Sequence, residues 1–405
     1  MLDIKFIRDN IDLVKKNTAN RAVKVDIDAL LKLDDSRRKL IHEIDELRAN
    51  RKSGSKGKPS DEEIKRLKKV GDDIQAKEGE LKKLESEYAV RLRKVPNLTH
   101  PDVPVGAEAD FKVLETHGAP PKFDFPAKNH EELMTALDLL DFERGAKVAE
   151  SKFYFAKGDL VKLNLALIQY GIEVVTKHGY TLMETPDIAK NSILEGIGFE
   201  PRGPETQVYS IENTDMSLIG TAEITVGGYH ADEVLNLESG PKKYVALSHC
   251  FRTEAGAYGK ESKGLYRVHQ FTKLEMFVFC KPEESDRYHQ EILDIEKEIC
   301  NGLEFPYRVI DVASGDLGGP AYRKYDIEAW MTTKNDYGEI TSTSNCTDYQ
   351  ARRLNIKYRK PDGTTEFVHT LNGTAVATSR LPIAVFENHQ QADGSVKFPK
   401  CLNAN

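Results

Sequence analysis

The chain has 405 residues, 39% hydrophobic and 30% charged, with a formal net charge of −7 at pH 7. That length supports two domains and one large core, and no apolar run reaches the length that spans a bilayer. The start, MLDIKFIRDN, lacks a basic region followed by an apolar one, and the five cysteines are scattered with no CxxC spacing, so a cytoplasmic protein with buried thiols is expected rather than a secreted disulfide framework or a zinc cage.

Residues 1–106 read as a helical N-terminal domain. Leu30, Leu33, Arg37, Leu40, Ile44, Leu47 and Arg51 recur at spacings of three and four, a heptad-like seam. After the turn formers SGSKGKPS, Ser53 to Ser60, a second seam runs through Ile64, Leu67, Ile74, Leu81 and Tyr88, weakened at Gly71 and Glu78. Two such helices joined by a short loop fold back on each other. An antiparallel coiled-coil arm is therefore expected over about residues 26–94, projecting some 45 Å at about 1.5 Å per residue. Arg48, Arg51, Lys52, Lys56, Lys58, Lys65, Arg66, Lys68 and Lys69 gather towards its far end, opposed only by Asp61, Glu62 and Glu63. On an acidic protein this local excess is the footprint of a focused phosphate contact, whereas a lysine-rich run by itself is more often a solvated helix face. The segment Val95–Gly106, with three prolines, is expected to link this arm to a second domain, residues 107–405.

In the second domain helical and strand-like patterns alternate. Leu160–Lys177 has helical apolar spacing and leads through Gly179 into a strand before Pro186. Later strands are expected at Tyr244–Glu254, Leu265–Cys280, Ala329–Thr333, Glu339–Thr343 and Glu366–Leu371, a mainly antiparallel sheet flanked by helices in an α+β domain. The most telling stretch is Cys250–Phe277, CFRTEAGAYGKESKGLYRVHQFTKLEMF, two strands around a polar loop. In its second strand a period of two puts Arg267, His269, Phe271, Lys273 and Glu275 on one face and Val268, Thr272, Leu274, Met276 and Val278 on the other. A packed face opposite a face of cation, ring and carboxylate suits a ligand that is anionic, planar and aminated. At roughly 3.4 Å per residue Phe271 and Glu275 stand about 13 Å apart, close to the reach from the adenine to the amino group of an aminoacyl-adenylate. Arg252 and Glu254 share a face of the preceding strand, and an arginine fork grips phosphate or carboxylate. A solvated face with cross-strand ion pairs explains any one of these residues, but not the set. GSKGKPS at Gly54 and GAYGKES at Gly256 lack the spacing of a phosphate loop, and no GxGxxG follows a strand, so neither a P-loop nor a Rossmann site is expected.

FRTE at Phe251–Glu254, with RVHQFTKLE at Arg267–Glu275, resembles motif 2 of the class II aminoacyl-tRNA synthetases in its seryl form. GYTLMETP ending at Pro186 resembles motif 1, TAE at Thr221–Glu223 the serine-binding loop, EITSTSNCTDYQARR at Glu339–Arg353 the ATP-side strand, and LNGTAVATSRLPIAVFENHQ at Leu371–Gln390 motif 3. With the arm, the resemblance covers essentially the whole chain and is specific to the seryl-tRNA synthetases. It departs from many of them at Thr378 and Ser379, where they carry glycines.

The resemblance implies a class II catalytic domain that uses ATP and Mg2+. It implies activation of L-serine to seryl-adenylate and transfer to tRNA(Ser), with tRNA(Sec) a further candidate acceptor. Arg252, Glu275 and Arg380 are the catalytic residues it implies. Arg252 would bind the α-phosphate and the serine carboxylate, Glu254 would read the adenine amino group, and Arg267 would meet the outer phosphates. Phe271 and Arg380 would sandwich the adenine, with Arg380 also holding the γ-phosphate. Thr253, Val268, His269 and Gln270, with Ile340 and Thr341, would complete the ATP side, and Glu339 and Ser342 would bind magnesium. Glu275 would accept from the ammonium and hydroxyl of serine, Thr374 would bind the hydroxyl, and Thr221, Ala222 and Glu223 would close on the amino side. The basic tip would grip tRNA in a homodimer where each arm serves the other subunit's site. Two other functions fit less of the sequence. The arm argues against an amino acid:carrier protein ligase, and intact Arg252, Glu254, Glu275 and Arg380 argue against a catalytically silent paralogue that only binds tRNA.

Overall fold

The computed structural model describes residues 1–53, 60–200, 207–254 and 264–402. The chain divides into two compact units, Met1–Leu98 and Thr99–Asn405. The boundary falls before the expected Gly106 because the proline-containing segment is tied into the second unit: Ser314 N donates to Pro104 O and Gly315 N to Gly106 O, both at 2.8 Å.

The first unit opens with two short helices, α1 (Ile4–Asp9) and α2 (Ile11–Asn20), which pack at the base of a long pair, α3 (Ile27–Ser53) and α4 (Asp61–Arg93). Ile7, Val14, Leu30, Leu92 and Val95 form the core of that base. Ser60 caps α4 by accepting from Glu63 N, and acidic residues in the first turn with Arg91 and Arg93 in the last suit the helix dipole. The long helices are antiparallel, as Lys77–Glu43 at 2.5 Å, Arg48–Glu78 at 2.7 Å and the Arg37 guanidinium 4.8 Å over the Tyr88 ring fix between them. Leu30, Leu40, Ile44 and Ile74 are buried in the seam as expected. Ile64, expected in the seam, is 50% exposed and outside it. Gly71, which weakens the apolar pattern, is where the Arg51 guanidinium carbon passes, 3.9 Å from the position a Cβ would take.

The second unit is built on an eight-stranded sheet: β1 (Lys112–His117), β2 (Thr181–Glu184), β3 (Lys242–Phe251), β4 (Gln270–Cys280), β5 (Tyr307–Asp311), β6 (Arg323–Met331), β7 (Asp336–Asn345) and β8 (His369–Ala377). Their order is β1-β5-β6-β7-β8-β4-β3-β2, and every neighbouring pair is antiparallel except β2 with β3. The sequence pattern does not point to β1 or β5. It also merges two strands at Glu366–Leu371: Thr365–Phe367 pairs in a small separate sheet, and β8 starts at His369 and runs on through Gly373. That glycine marks a close approach, since a Cβ there would lie 2.3 Å from Ile292 Cγ2 and 2.7 Å from Glu296 Oε1.

Helices α5 (His130–Ala136), α6 (Asp159–Lys177), α7 (Ala222–Gly228), α8 (Ser285–Gly302) and α9 (Leu381–His389) flank the sheet. On one face Leu163, Leu167 and Val174 of α6 and Ile292 and Ile299 of α8 join Leu274, Met276 and Val278 in the main core, each such side chain contributing about 1.5–3 kcal/mol. On the other face Phe277 and Phe279 are sealed with Ile224, Leu194 and Ile356. β4 therefore differs from the expected strand with one packed and one working face. From Lys273 onward it is buried on both sides, and Arg267 and His269 precede it. Only at Phe271, Lys273 and Glu275 does that second face open into a cavity. Among the described residues no helix is long and apolar enough to cross a membrane.

Candidate active site

The open half of this sheet face is the floor of a cavity of about 250 Å³. Two β-bulges shape it. Across β6 and β7 the register runs Ile327↔Thr341 and then Glu328↔Glu339, so Ile340 is an extra residue. Across β4 and β8 it runs Glu275↔Thr374 and then Leu274↔Val376, so Ala375 is extra. An extra residue resets the two-residue alternation, and so Glu339 and Ser342, three apart, both line the cavity, as do Thr374 and Ala377.

At the inner end Lys273 Nζ lies 2.6 Å from Glu275 Oε2, which also accepts from Thr374 Oγ1 at 3.1 Å. Lys273 donates to Thr374 Oγ1 at 3.4 Å, and all three residues are buried. Either charge alone would be costly here, and each offsets the other. Thr221 caps α7 by accepting from Glu223 N at 3.2 Å, which sets Glu223 in the cavity wall. Its carboxylate accepts from Gln350 Nε2 at 2.7 Å and Asn372 Nδ2 at 2.9 Å. Burial, and then the charge of Glu275, push it up to about 7, so an arriving cation would ionise it.

At the outer end Arg252 donates from Nε to Gly220 O at 3.2 Å, with its guanidinium 5.2 Å over the Phe271 ring. Arg380, the N-cap of α9, pairs with Glu339 at 2.8 Å and stands 4.9 Å from the Tyr266 ring. Burial alone would raise the Glu339 carboxyl, but Arg380, Lys324 and Arg252 outweigh it and hold it below the usual range. Glu254 lines the cavity and accepts from Arg267 Nη1 at 3.1 Å. β3 ends at Phe251 and Glu254 has a left-handed φ of 52°, so Arg252 and Glu254 do not share a strand face as expected; the chain turns there. The two expected sides of the adenine sandwich are each faced by another residue, Phe271 by Arg252 and Arg380 by Tyr266.

Of the expected residues, Thr221, Glu223, Arg252, Glu254, Val268, Phe271, Glu275, Glu339, Ile340, Thr341, Ser342, Thr374 and Arg380 line this cavity. Ala222 instead lies in the smaller core, and Thr253 bonds through its N–H to Gln207 O at 3.1 Å. His269 braces Arg252 by donating from Nδ1 to its carbonyl at 2.8 Å, Arg267 reaches the cavity only through Glu254, and Gln270 faces a second cavity beside Thr272 and Thr378. Lys273, Asn372 and Tyr266 belong to the site without having been assigned a role in it. Strand alternation from Glu275 and Thr374 points to the first two; Tyr266 sits in a 3-10 turn, Gly264–Tyr266, that leaves no periodic signal. Thr378 has its own work: its hydroxyl accepts from Thr272 N at 3.0 Å and donates to Thr272 O at 3.1 Å, extending the ladder by one residue.

Glu339 and Ser342 present a carboxylate and a hydroxyl oxygen on one wall, a pair that fits Mg2+, which binds few protein oxygens and completes its shell with phosphate and water. Among the described residues no group of three or more His, Cys, Asp or Glu side chains is placed to hold a metal ion. In the first unit Arg51, Lys52, Lys65, Arg66, Lys68 and Lys69 are exposed, while Arg48 is engaged along the shaft by Glu78 and Asp45; Lys56 and Lys58 lie outside the described residues.

An antiparallel sheet that sets two arginines and a polar pocket along one cavity is the architecture of a class II aminoacyl-tRNA synthetase, and residues 207–389 match the model of the class II tRNA synthetase core domain (G, H, P, S and T). Residues 1–99 match that of the seryl-tRNA synthetase N-terminal domain. The chain is 53% identical to the serine–tRNA ligase of Treponema denticola, over 99% of this chain and 98% of that one. The crystal structure of seryl-tRNA synthetase from Pyrococcus horikoshii complexed with ATP is similar at a TM-score of 0.89 and 39% identity, covering 99% of this chain and 97% of that one. The cytoplasmic serine–tRNA ligase of Naegleria fowleri in complex with AMP is similar at 0.85 and 32%, covering 100% and 96%. The chain belongs to the seryl-tRNA synthetase family, enzymes that ligate serine to tRNA.

Proposed function

We propose that this cavity condenses L-serine with ATP and that the resulting seryl group passes to tRNA(Ser). A serine carboxylate oxygen attacks the α-phosphorus, the bond to the bridging oxygen breaks and pyrophosphate leaves; a terminal hydroxyl of the tRNA then attacks the seryl carbonyl and AMP leaves. Such chemistry needs cations where phosphate charge develops, and little covalent help. Arg252 holds the α-phosphate and the serine carboxylate and Arg380 the γ-phosphate, and Arg267, paired with Glu254 beside the cavity, turns to the outer phosphates when ATP is bound. Phe271 takes one face of the adenine and Glu254 reads its amino group. Glu339 and Ser342 supply oxygens to Mg2+, which when bound neutralises phosphate charge.

The observation that carries this reading is the inner pocket. Glu275 is acceptor-only and Lys273 donor-only, and the one hydrogen of Thr374 is committed to Glu275. Glu275 keeps lone pairs that can accept from a ligand ammonium and hydroxyl, and the remaining N–H of Lys273 can donate to an oxygen of the same ligand. A site of this kind rejects alanine and glycine because its buried polar groups would be left unpaired. The basic end of the arm binds the tRNA backbone, tRNA(Sec) remaining a second substrate to test. The functional form is a homodimer with cross-subunit tRNA binding, a reading supported by Leu165, Val161 and Leu182, apolar side chains 62%, 41% and 47% exposed on α6 and the edge strand β2. The cytoplasm is the compartment that translation chemistry and five free cysteines suit. ATP–pyrophosphate exchange across the twenty amino acids tests the core of it: exchange is expected with serine, and equal or greater exchange with any other amino acid would overturn it.

A further inference from the structure

Behind the outer end of the cavity lies a buried clasp that touches none of the expected ligands. His130 Nδ1 is 2.9 Å from Glu387 Oε1, and the His130 backbone N–H donates to the same oxygen at 3.2 Å. His130 Nε2 accepts from the Leu265 N–H at 3.1 Å. An amide can only donate, so Nε2 is the bare nitrogen and Nδ1 carries the ring proton, which it gives to Glu387. The other Glu387 oxygen accepts from Thr333 N at 3.4 Å and Thr333 Oγ1 at 3.3 Å. His130, Leu265 and Glu387 are 8%, 1% and 3% exposed. Gly264, at φ +71°, lies so close against the imidazole that a Cβ would fall 2.1 Å from Nε2.

The two elements so joined carry the two halves of one contact. Leu265 is the middle of the turn Gly264–Tyr266, and Glu387 sits on α9, whose N-cap is Arg380; Tyr266 and Arg380 face each other at 4.9 Å. We propose that His130 is a positioning residue for nucleotide binding: by bridging Leu265 N–H to Glu387 it holds the Gly264–Tyr266 turn against α9 and keeps Arg380 aimed at the triphosphate. This rests on reading Arg380 as a phosphate ligand. A merely structural histidine would stabilise the domain without favouring one substrate over the other.

The test uses the full chain and pyrophosphate exchange, with KM measured separately for ATP and serine. A buried bond to a charged partner is lost in His130→Leu, so the KM for ATP is expected to rise about tenfold while that for serine stays within about twofold. His130→Gln, whose amide can accept from Leu265 and donate to Glu387, is expected to recover ATP binding to within about threefold, whereas the shorter His130→Asn is not. Should His130→Leu fail to fold, the Gln and Asn variants decide. An unchanged KM for ATP in folded His130→Asn or His130→Leu, or an equal rise for both substrates, would overturn the proposal. Absence of ATP-dependent exchange in the unmodified protein would instead overturn the reading of the site itself.

Discussion

Glu275 serves three partners at once: it neutralises Lys273, accepts from Thr374 and is left with acceptor capacity for a ligand. Replacing it with glutamine removes the charge and keeps the shape, and a hydrogen bond to a charged group is worth about 1.5–3 kcal/mol. In Glu275→Gln the kcat/KM for serine should fall about 10- to 100-fold with the KM for ATP within about threefold; reduced ATP affinity with an unchanged serine KM would refute the assignment. Glu223 adds a pH dependence. Its carboxyl stands at about 7 and only its ionised form attracts an ammonium, so serine kcat/KM should rise as pH rises through about 7, and Glu223→Gln should flatten that rise. His289 makes stability depend on pH in a lower window. It is buried, stacks on Tyr325 at 4.6 Å and donates from Nε2 to Thr343 O at 3.2 Å, and burial lowers it from 6.5 to about 4. As pH falls the unfolded chain takes up the proton first, so the stability is present above 6.5 and is lost on the way down to about 4. Urea unfolding should show a loss of up to about 3 kcal/mol between those limits, and His289→Gln should remove that part of the slope.

The strands owe their chemistry to irregularities. Without the bulges at Ile340 and Ala375, alternation would turn Ser342 away from Glu339 and Ala377 away from Thr374. Gly373, between Asn372 and Thr374, lets α8 press on the sheet beneath the inner end of the cavity. Gly373→Ala should overpack this approach and destabilise by about 1–3 kcal/mol, with serine kcat/KM falling alongside; a variant as stable as the parent in urea would show the approach to be slack. In the arm, replacing Lys65, Arg66, Lys68 and Lys69 with alanine should raise the KM for tRNA and lower the salt slope of binding by about one for each phosphate no longer neutralised, leaving pyrophosphate exchange unchanged. Equal charging and slope would make this a solvated helix face. These elements also explain what could be read in advance. Leu160–Lys177 is legible because one apolar stripe faces the core, and the arm because its seam repeats. β1 is not, since its pattern of exposure barely alternates, and neither is the strand Gln270–Cys280 in full, because burial on both faces hides where the working face stops. Phe271, Glu275 and Arg252 could be picked out by residue type, whereas Tyr266 could not: its place depends on a turn and on α9, more than a hundred residues away in the chain.

For the whole molecule, a net charge of −7 on an enzyme of the tRNA synthetases is reconciled by a local excess of cations between Arg48 and Lys69, where only Asp61, Glu62 and Glu63 oppose them, the rest of the long helices being close to charge-balanced. The exposed apolar side chains of α6 and β2 give a further expectation: sedimentation should find twice the mass of one chain, and Leu165→Glu should shift it towards the monomer. Heterodimers of an Arg252→Ala subunit with a subunit carrying the four alanine replacements should regain part of the charging each homodimer lacks, and failure in verified heterodimers would contradict cross-subunit binding. Glu275, Thr374, Arg252 and Arg380 line one cavity, which in the proposed function takes serine on the first two and the nucleotide between the last two. The most direct measurement is calorimetric titration with non-hydrolysable sulfamoyl analogues of seryl- and alanyl-adenylate, which differ only in the hydroxyl. The seryl analogue should bind one per site and more tightly than the alanyl one by on the order of 10⁴-fold, as expected of a pocket whose buried groups require a donor; equal affinity for the two would contradict the central claim.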